Sequence, residues 1–158
     1  MDPETAADAD QRRAGITLRE LEVLQSLVGG GTAINAARRL GISQSAVSRR
    51  LGQLEDRLGF LGFTIERDSH GNLIASEHQP PSLILSAHMD TVEPGRGIQP
   101  IVDGDQVRTD GTTILGGDCK AGIAAILESL SAIKEEGITR IPIQLVFTKG
   151  EEIGLVGA

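Results

Sequence analysis

At 158 residues with 39% apolar side chains, the chain can bury one medium core or two small ones, and with 2% aromatics that core must be aliphatic. A single cysteine, Cys119, excludes an intrachain disulfide and fits a reducing compartment. No apolar run reaches the ~20 residues of a membrane span and the acidic start does not read as a signal peptide, so the expected location is cytoplasmic with no membrane partner.

The net charge of −7 is unevenly spread, at −4 over residues 1–10, +4 over 11–60 and −7 over 61–158. The change of sign near residue 60 predicts two parts with different partners. Residues 1–15 are polar and rich in Ala and Asp, the composition of a disordered arm. Thr17 and Glu20 then have the spacing of a capping box, and Leu18, Leu21, Leu24, Leu27 and Val28 line one face of the helix that follows. Gly29, Gly30 and Gly31 stop it. Thr32 caps a second helix running through Leu40. Ser43 caps a third, with Val47, Leu51, Leu54 and Leu58 in register and Gly59 closing it.

Ala37, Gly41 and Val47 have the spacing of a helix-turn-helix, where a small residue, a turn glycine and an apolar lock let two helices pack closely. The outward face of the third helix then carries Gln44, Ser45, Ser48, Arg49 and Gln53, side chains able to bond base edges or phosphates. Arg38, Arg39, Arg50 and Arg57 add candidate phosphate contacts. A plain three-helix bundle with an exposed arginine face is the alternative. The run from Ala36 to Leu51 closely resembles the DNA-binding head of LysR-type transcriptional regulators, and the likeness covers about residues 17–60. The resemblance implies a winged-helix-like head that binds double-stranded DNA. In that family a wing and a long dimerising helix follow the recognition helix; here the likeness fades after Phe60. A lone head reaches a single half-site, so its binding is expected to be weak and salt-dependent.

From residue 61 the pattern changes. Phe63 to Arg67 alternates, residues 68–72 turn, and Leu73 to Ala75 return, predicting a hairpin. Residues 82–87 read as a buried-type strand, and a second hairpin turns at Asp103-Gly104-Asp105. A helix over 120–136 and a strand over 141–147 complete an α/β alternation. His88 and Asp90 end one apolar run, Asp118 lies in a glycine-rich turn before the helix, and Glu151 and Glu152 end another run. One histidine, one isolated acid and an acid pair in those places look like metal ligands gathered at one rim of a sheet.

The stretches Ser86 to Val92, Asp110 to Asp118 and Gly150 to Gly154, in that order, resemble peptidase T and its relatives, two-zinc aminopeptidases of a family that includes zinc carboxypeptidases and deacylases. The resemblance implies a zinc cofactor and a small peptide substrate. It makes His88, Asp118 and Glu152 metal ligands, with Asp118 bridging and the Asp118–Cys119 peptide cis. Asp90 would orient the His88 imidazole, and Glu151 would be the general base toward a metal-activated water. His70, in a polar turn, and His78, in a polar loop, are left unassigned. Cys119, where the family often has Asp or Asn, reads as a small inert residue, with a reactive thiol as the alternative. Of five zinc ligands in the family, three have counterparts in this chain, so weak turnover and an exposed sheet edge are expected.

The combined expectation is an all-α helix-turn-helix head over 16–60 followed by an α/β part over 61–158 that holds a partial zinc-exopeptidase sheet and its flanking helix. The functional reading is a DNA-binding, transcription-regulator-like head joined to an incomplete aminopeptidase-like domain. A metal-dependent tripeptide aminopeptidase and a non-functional chimera or truncated product are the alternatives.

Overall fold

Helix-forming sequence opens the described part of the chain. The computed structural model describes residues 33–40, 43–96 and 98–157, apart from the side chains at 33, 39, 50, 51 and 54. The expected arm, the helix over 18–28 and its capping box lie outside those residues. Helix α1 spans Ala33–Leu40 and helix α2 spans Gln44–Leu61. Ser43 caps α2 as its sequence position predicts: from extended backbone, its side-chain oxygen accepts the Ala46 N–H at 3.2 Å. Ala36, Ala37 and Val47 are buried, so the small residues and the apolar lock of the helix pair meet.

Helix α2 does not close at Gly59. It runs on to Leu61, and Gly62 ends it in the left-handed region at φ 98. The Gly62 N–H donates to the Gly59 carbonyl at 3.0 Å and the Phe63 N–H to the Leu58 carbonyl at 2.9 Å. This is a Schellman closure, and the apolar pair that normally accompanies one is present because Leu58 and Phe63 are both buried. A glycine within a helix costs only about 1 kcal/mol, whereas the positive φ at the stop strongly favours one, so Gly62 sets the end. Leu58, Leu61 and Phe63 join Leu73, Ala75, Ile123, Leu127, Leu145 and Phe147 in one core. The last turn of α2 is therefore part of the packing of the α/β half, and no backbone break marks residue 60.

Strands β1 (Thr64–Arg67), β2 (Leu73–Ser76) and β3 (Leu83–His88) follow, then a small hairpin of β4 (Ile101–Asp103) and β5 (Gln106–Arg108), helix α3 (Gly117–Glu135) and strand β6 (Ile143–Thr148). The main sheet has the order β1-β2-β6-β3. β1 and β2 are the expected antiparallel hairpin, in register from Thr64 opposite Ser76 to Arg67 opposite Leu73. Where a wing would stand free after a recognition helix, this hairpin pairs through β2 with β6 and belongs to the sheet. β3 pairs parallel with β6, with α3 in the connection between them. Alternation along β6 buries Ile143, Leu145 and Phe147, and α3 covers that face with Ile123, Leu127 and Leu130.

β3 departs from the buried strand expected over 82–87. Leu83 and Ile84 are exposed, and among the described residues no strand lies on its outer side, so it forms an edge. A continuous apolar run does not distinguish a central strand from an edge. The four-strand sheet of the described residues is mixed, as an α/β fold with a leading hairpin requires. No described helix is long and apolar enough to cross a membrane.

The entry to β6 is fixed by charge. Glu77, just after β2, accepts from Arg140 through both oxygens at 2.6 and 2.9 Å and takes the Ile143 N–H at 2.8 Å. The Arg140 bonds hold the Glu77 carboxyl below its ordinary value of 4.5, against desolvation and with help from the Ile143 amide. A folded-state value depressed in this way contributes stability above the unfolded value, and that stability is lost as pH falls through the folded one. Glu77→Gln is expected to cost about 1–3 kcal/mol at neutral pH. In denaturant titrations that difference should shrink below pH 4.5; a pH-independent difference would show that charge is not the cause.

Candidate metal centre and helix face

The parallel pairing of β3 and β6 brings the ends of both strands to one rim, with His88 opposite Thr148. The Met89 N–H continues the ladder by donating to the Thr148 carbonyl at 2.8 Å. His88 is 11% exposed at its side chain, and its two ring nitrogens face different partners. Nδ1 lies 3.0 Å from the Asp90 carbonyl oxygen and 3.6 Å from Asp90 Oδ1, while Nε2 lies 3.3 Å from Asp118 Oδ1. Asp118 sits at the head of α3, outside regular helix at φ −85 and ψ 117, as does Cys119 at φ −105 and ψ 28. The peptide between them is cis, and regular helix begins at Lys120, the expected start. The Asp118 side chain is 86% exposed, open to a ligand.

Glu151 and Glu152 reach the same rim on the turn after β6. Donor atoms of His88, Glu151 and Glu152 lie within 4.8 Å of one another, and so do those of His88, Asp118 and Cys119. Asp90 holds that turn from beneath. Its Oδ1 accepts the Glu151 N–H at 3.3 Å and its Oδ2 the Glu152 N–H at 3.1 Å. The Asp90 carboxylate thus grips the acid pair by its backbone, and its main chain supports the histidine. All five residues that the sequence singles out for this rim stand at it.

The donor set suits a zinc-type divalent cation. Two ligands about 2.0–2.1 Å from a tetrahedral ion stand roughly 3.3–3.4 Å apart, and His88 Nε2 and Asp118 Oδ1 are already 3.3 Å apart. One imidazole nitrogen and several carboxylates match the ligand types such an ion takes.

Asn72 plays a part that the sequence did not disclose. It is buried, donates through Nδ2 to Asp68 Oδ2 at 2.8 Å and to the Gly157 carbonyl, and accepts the Lys149 N–H at 2.8 Å. It therefore pins both ends of the segment carrying Glu151 and Glu152. An asparagine in a hairpin turn carries no local sign of a bond some 77 residues away.

On α2 the expected DNA face is partly visible. Gln44, Ser45, Ser48 and Arg49 are exposed, Arg38 on α1 is exposed, and Gln53 is half-buried. The Ser45 hydroxyl lies 2.9 Å from that of Ser43 at the cap. The side chains of Arg39 and Arg50 are outside the described residues. Arg57 is corrected: it is buried, donating to Glu128 Oε1 at 3.0 Å and Ser131 Oγ at 3.3 Å. It serves the contact between α2 and α3 because Leu58, next to it, turns this end of α2 into the core.

Comparison with known proteins finds a match in each of these two stretches. Residues 18–64 match the bacterial regulatory helix-turn-helix protein, lysR family. Residues 84–158 match peptidase family M20/M25/M40. Matches to two families therefore lie on one chain. The uncharacterized protein YqjE of Bacillus subtilis is 48% identical over 91 residues, 56% of this chain and 24% of its own length. Peptidase T of Haemophilus influenzae is 48% identical over 58 residues, 37% of this chain and 14% of that protein. Among solved structures, a tripeptidase from Staphylococcus aureus superposes with a TM-score of 0.59 at 42% identity, over 70% of this chain and 33% of that one. Aminopeptidase PepT from Bacillus cereus gives 0.60 at 35% identity over the same shares, 70% and 33%. The chain spans a quarter or less of these curated relatives and a third of these solved chains.

Asp90→Ala should free the Glu151–Glu152 turn without unfolding the sheet. Two bonds to a charged acceptor are lost, so exchange at the Glu151 and Glu152 amides should speed up at least about tenfold, while β6 amides keep their protection. Unchanged exchange at those two amides would remove Asp90 from this role.

Proposed function

We propose that the α/β part holds a zinc-type divalent cation at the His88 rim and uses it to hydrolyse a peptide bond in a small peptide. The observation that carries this reading is the convergence of His88, Asp118, Glu151 and Glu152 from three separate chain segments. The matched peptidase family and the likeness to a tripeptidase and an aminopeptidase support the same chemistry. His88, Asp118 and Glu152 would hold the metal, Asp118 as the shared ligand if a second ion binds. The metal supplies an acidified water and a polarised carbonyl. Glu151 would take the proton from the attacking water and return it to the departing amine, a task for a carboxylate left off the metal. Asp90 sets the position of that carboxylate through the turn it grips. With zinc added, cleavage of a tripeptide should fall roughly 10²–10⁴-fold in Glu151→Gln while calorimetry shows zinc still binding, and Asp118→Ala should weaken zinc binding itself. Equal rates in the parent and both variants would reject the hydrolytic reading.

The N-terminal half of α2 supports a second function on the same chain, the binding of double-stranded DNA. Gln44, Ser45, Ser48 and Arg49 form a polar, exposed face beginning at the Ser43 cap, the end of a recognition helix that reads base edges. In fluorescence anisotropy on duplex DNA, affinity should fall as salt rises, and Arg49→Ala should reduce the salt slope by about one. Binding that ignores salt, or a slope unchanged by the substitution, would count against this face.

A further inference from the structure

We propose that Cys119 is a metal ligand, so that His88, Asp118 and Cys119 together hold one thiophilic divalent cation. This rests on the reading that the His88 rim binds metal, and it adds a donor that reads from sequence as a small inert residue.

The geometry carries it. Sγ of Cys119, a ring nitrogen of His88 and a carboxylate oxygen of Asp118 all lie within 4.8 Å of one another. Ligands at about 2.3 Å for sulfur and about 2.0–2.1 Å for nitrogen and oxygen stand roughly 3.3–3.7 Å apart around a tetrahedral ion. The nitrogen and oxygen already meet that spacing at 3.3 Å, and the sulfur lies within 4.8 Å of a donor atom of each. The thiol is half-buried and lies at the margin of the core, within reach of the open Asp118 carboxylate. Gly122 makes the room for it. A Cβ at position 122 would stand 2.6 Å from Sγ, so any larger residue there would displace the sulfur.

Three protein donors with one position left open is the ligand count of a catalytic zinc site. A sulfur donor also sets selectivity, favouring zinc, cobalt or cadmium over magnesium or calcium, which prefer oxygen alone.

Cobalt titration of the full chain tests this directly, because Cys119 is its one cysteine and any thiolate-to-cobalt band must come from it. The expected result is a near-ultraviolet charge-transfer band that saturates at one cobalt per chain. Cys119→Ser should abolish that band and weaken cobalt binding at least about tenfold, the smallest cost of losing even a supporting partner. In the unaltered protein, saturating zinc should nearly stop alkylation of the thiol by iodoacetamide, and magnesium should leave it unchanged. Visible cobalt bands without the charge-transfer band, and alkylation indifferent to zinc, would overturn the cysteine assignment and leave the metal centre standing. No cobalt binding at all would overturn both.

Discussion

The parallel pairing of β3 with β6 is the constraint on which the rest depends. A parallel pair needs a crossover between its strands, and here α3 lies in that connection. Because the strands run the same way, the segments leaving them emerge at the same rim. His88 ends one strand, the acid pair follows the other, and the turn into α3 brings Asp118 to within 3.3 Å of the imidazole. The aliphatic packing of Ile123, Leu127 and Leu130 against Leu145 and Phe147 keeps that helix in place. The gathering of these side chains at the rim is a consequence of packing well away from it.

The rim is then held in place by polar groups that support it from behind. Asp90 accepts two backbone amides from the acid pair, and Asn72 ties both ends of the same segment to the β1–β2 hairpin. Bonds of this kind matter because a catalytic carboxylate must be held to within a fraction of an ångström. The hairpin that follows α2 is therefore a support for the His88 rim, through Asn72, as well as an outer layer of the sheet.

Helix α2 joins the two functional readings physically. Its first turns carry the polar face, and its last turn carries Leu58 into the core and Arg57 onto Glu128 of α3. The Schellman closure at Gly62 lets a single helix do both, since it directs Phe63 back onto Leu58 and starts β1 in the sheet. The lysR-family match ends at residue 64, inside β1, so this helix is shared between the two parts.

The sequence by itself determined the local pieces: the Ser43 cap, the β1–β2 and β4–β5 hairpins, the helical start at Lys120, and the five residues of the rim. These are legible because caps, turns and periodicity are written within a few residues, and because the motifs hold their ligand types in a fixed order. Tertiary structure decided what depends on distant partners. Leu83 and Ile84 look the same on a central strand as on an edge, and only the strand order exposes them. Arg57 looks like its arginine neighbours, and only the approach of α3 buries it. Gly59 and Gly62 are equivalent stop signals until the core takes in Leu58 and Phe63. Asn72 and the thiol of Cys119 acquire meaning only when residues remote in the chain are packed beside them, because a hydrogen bond or a coordination sphere is a property of positions in space.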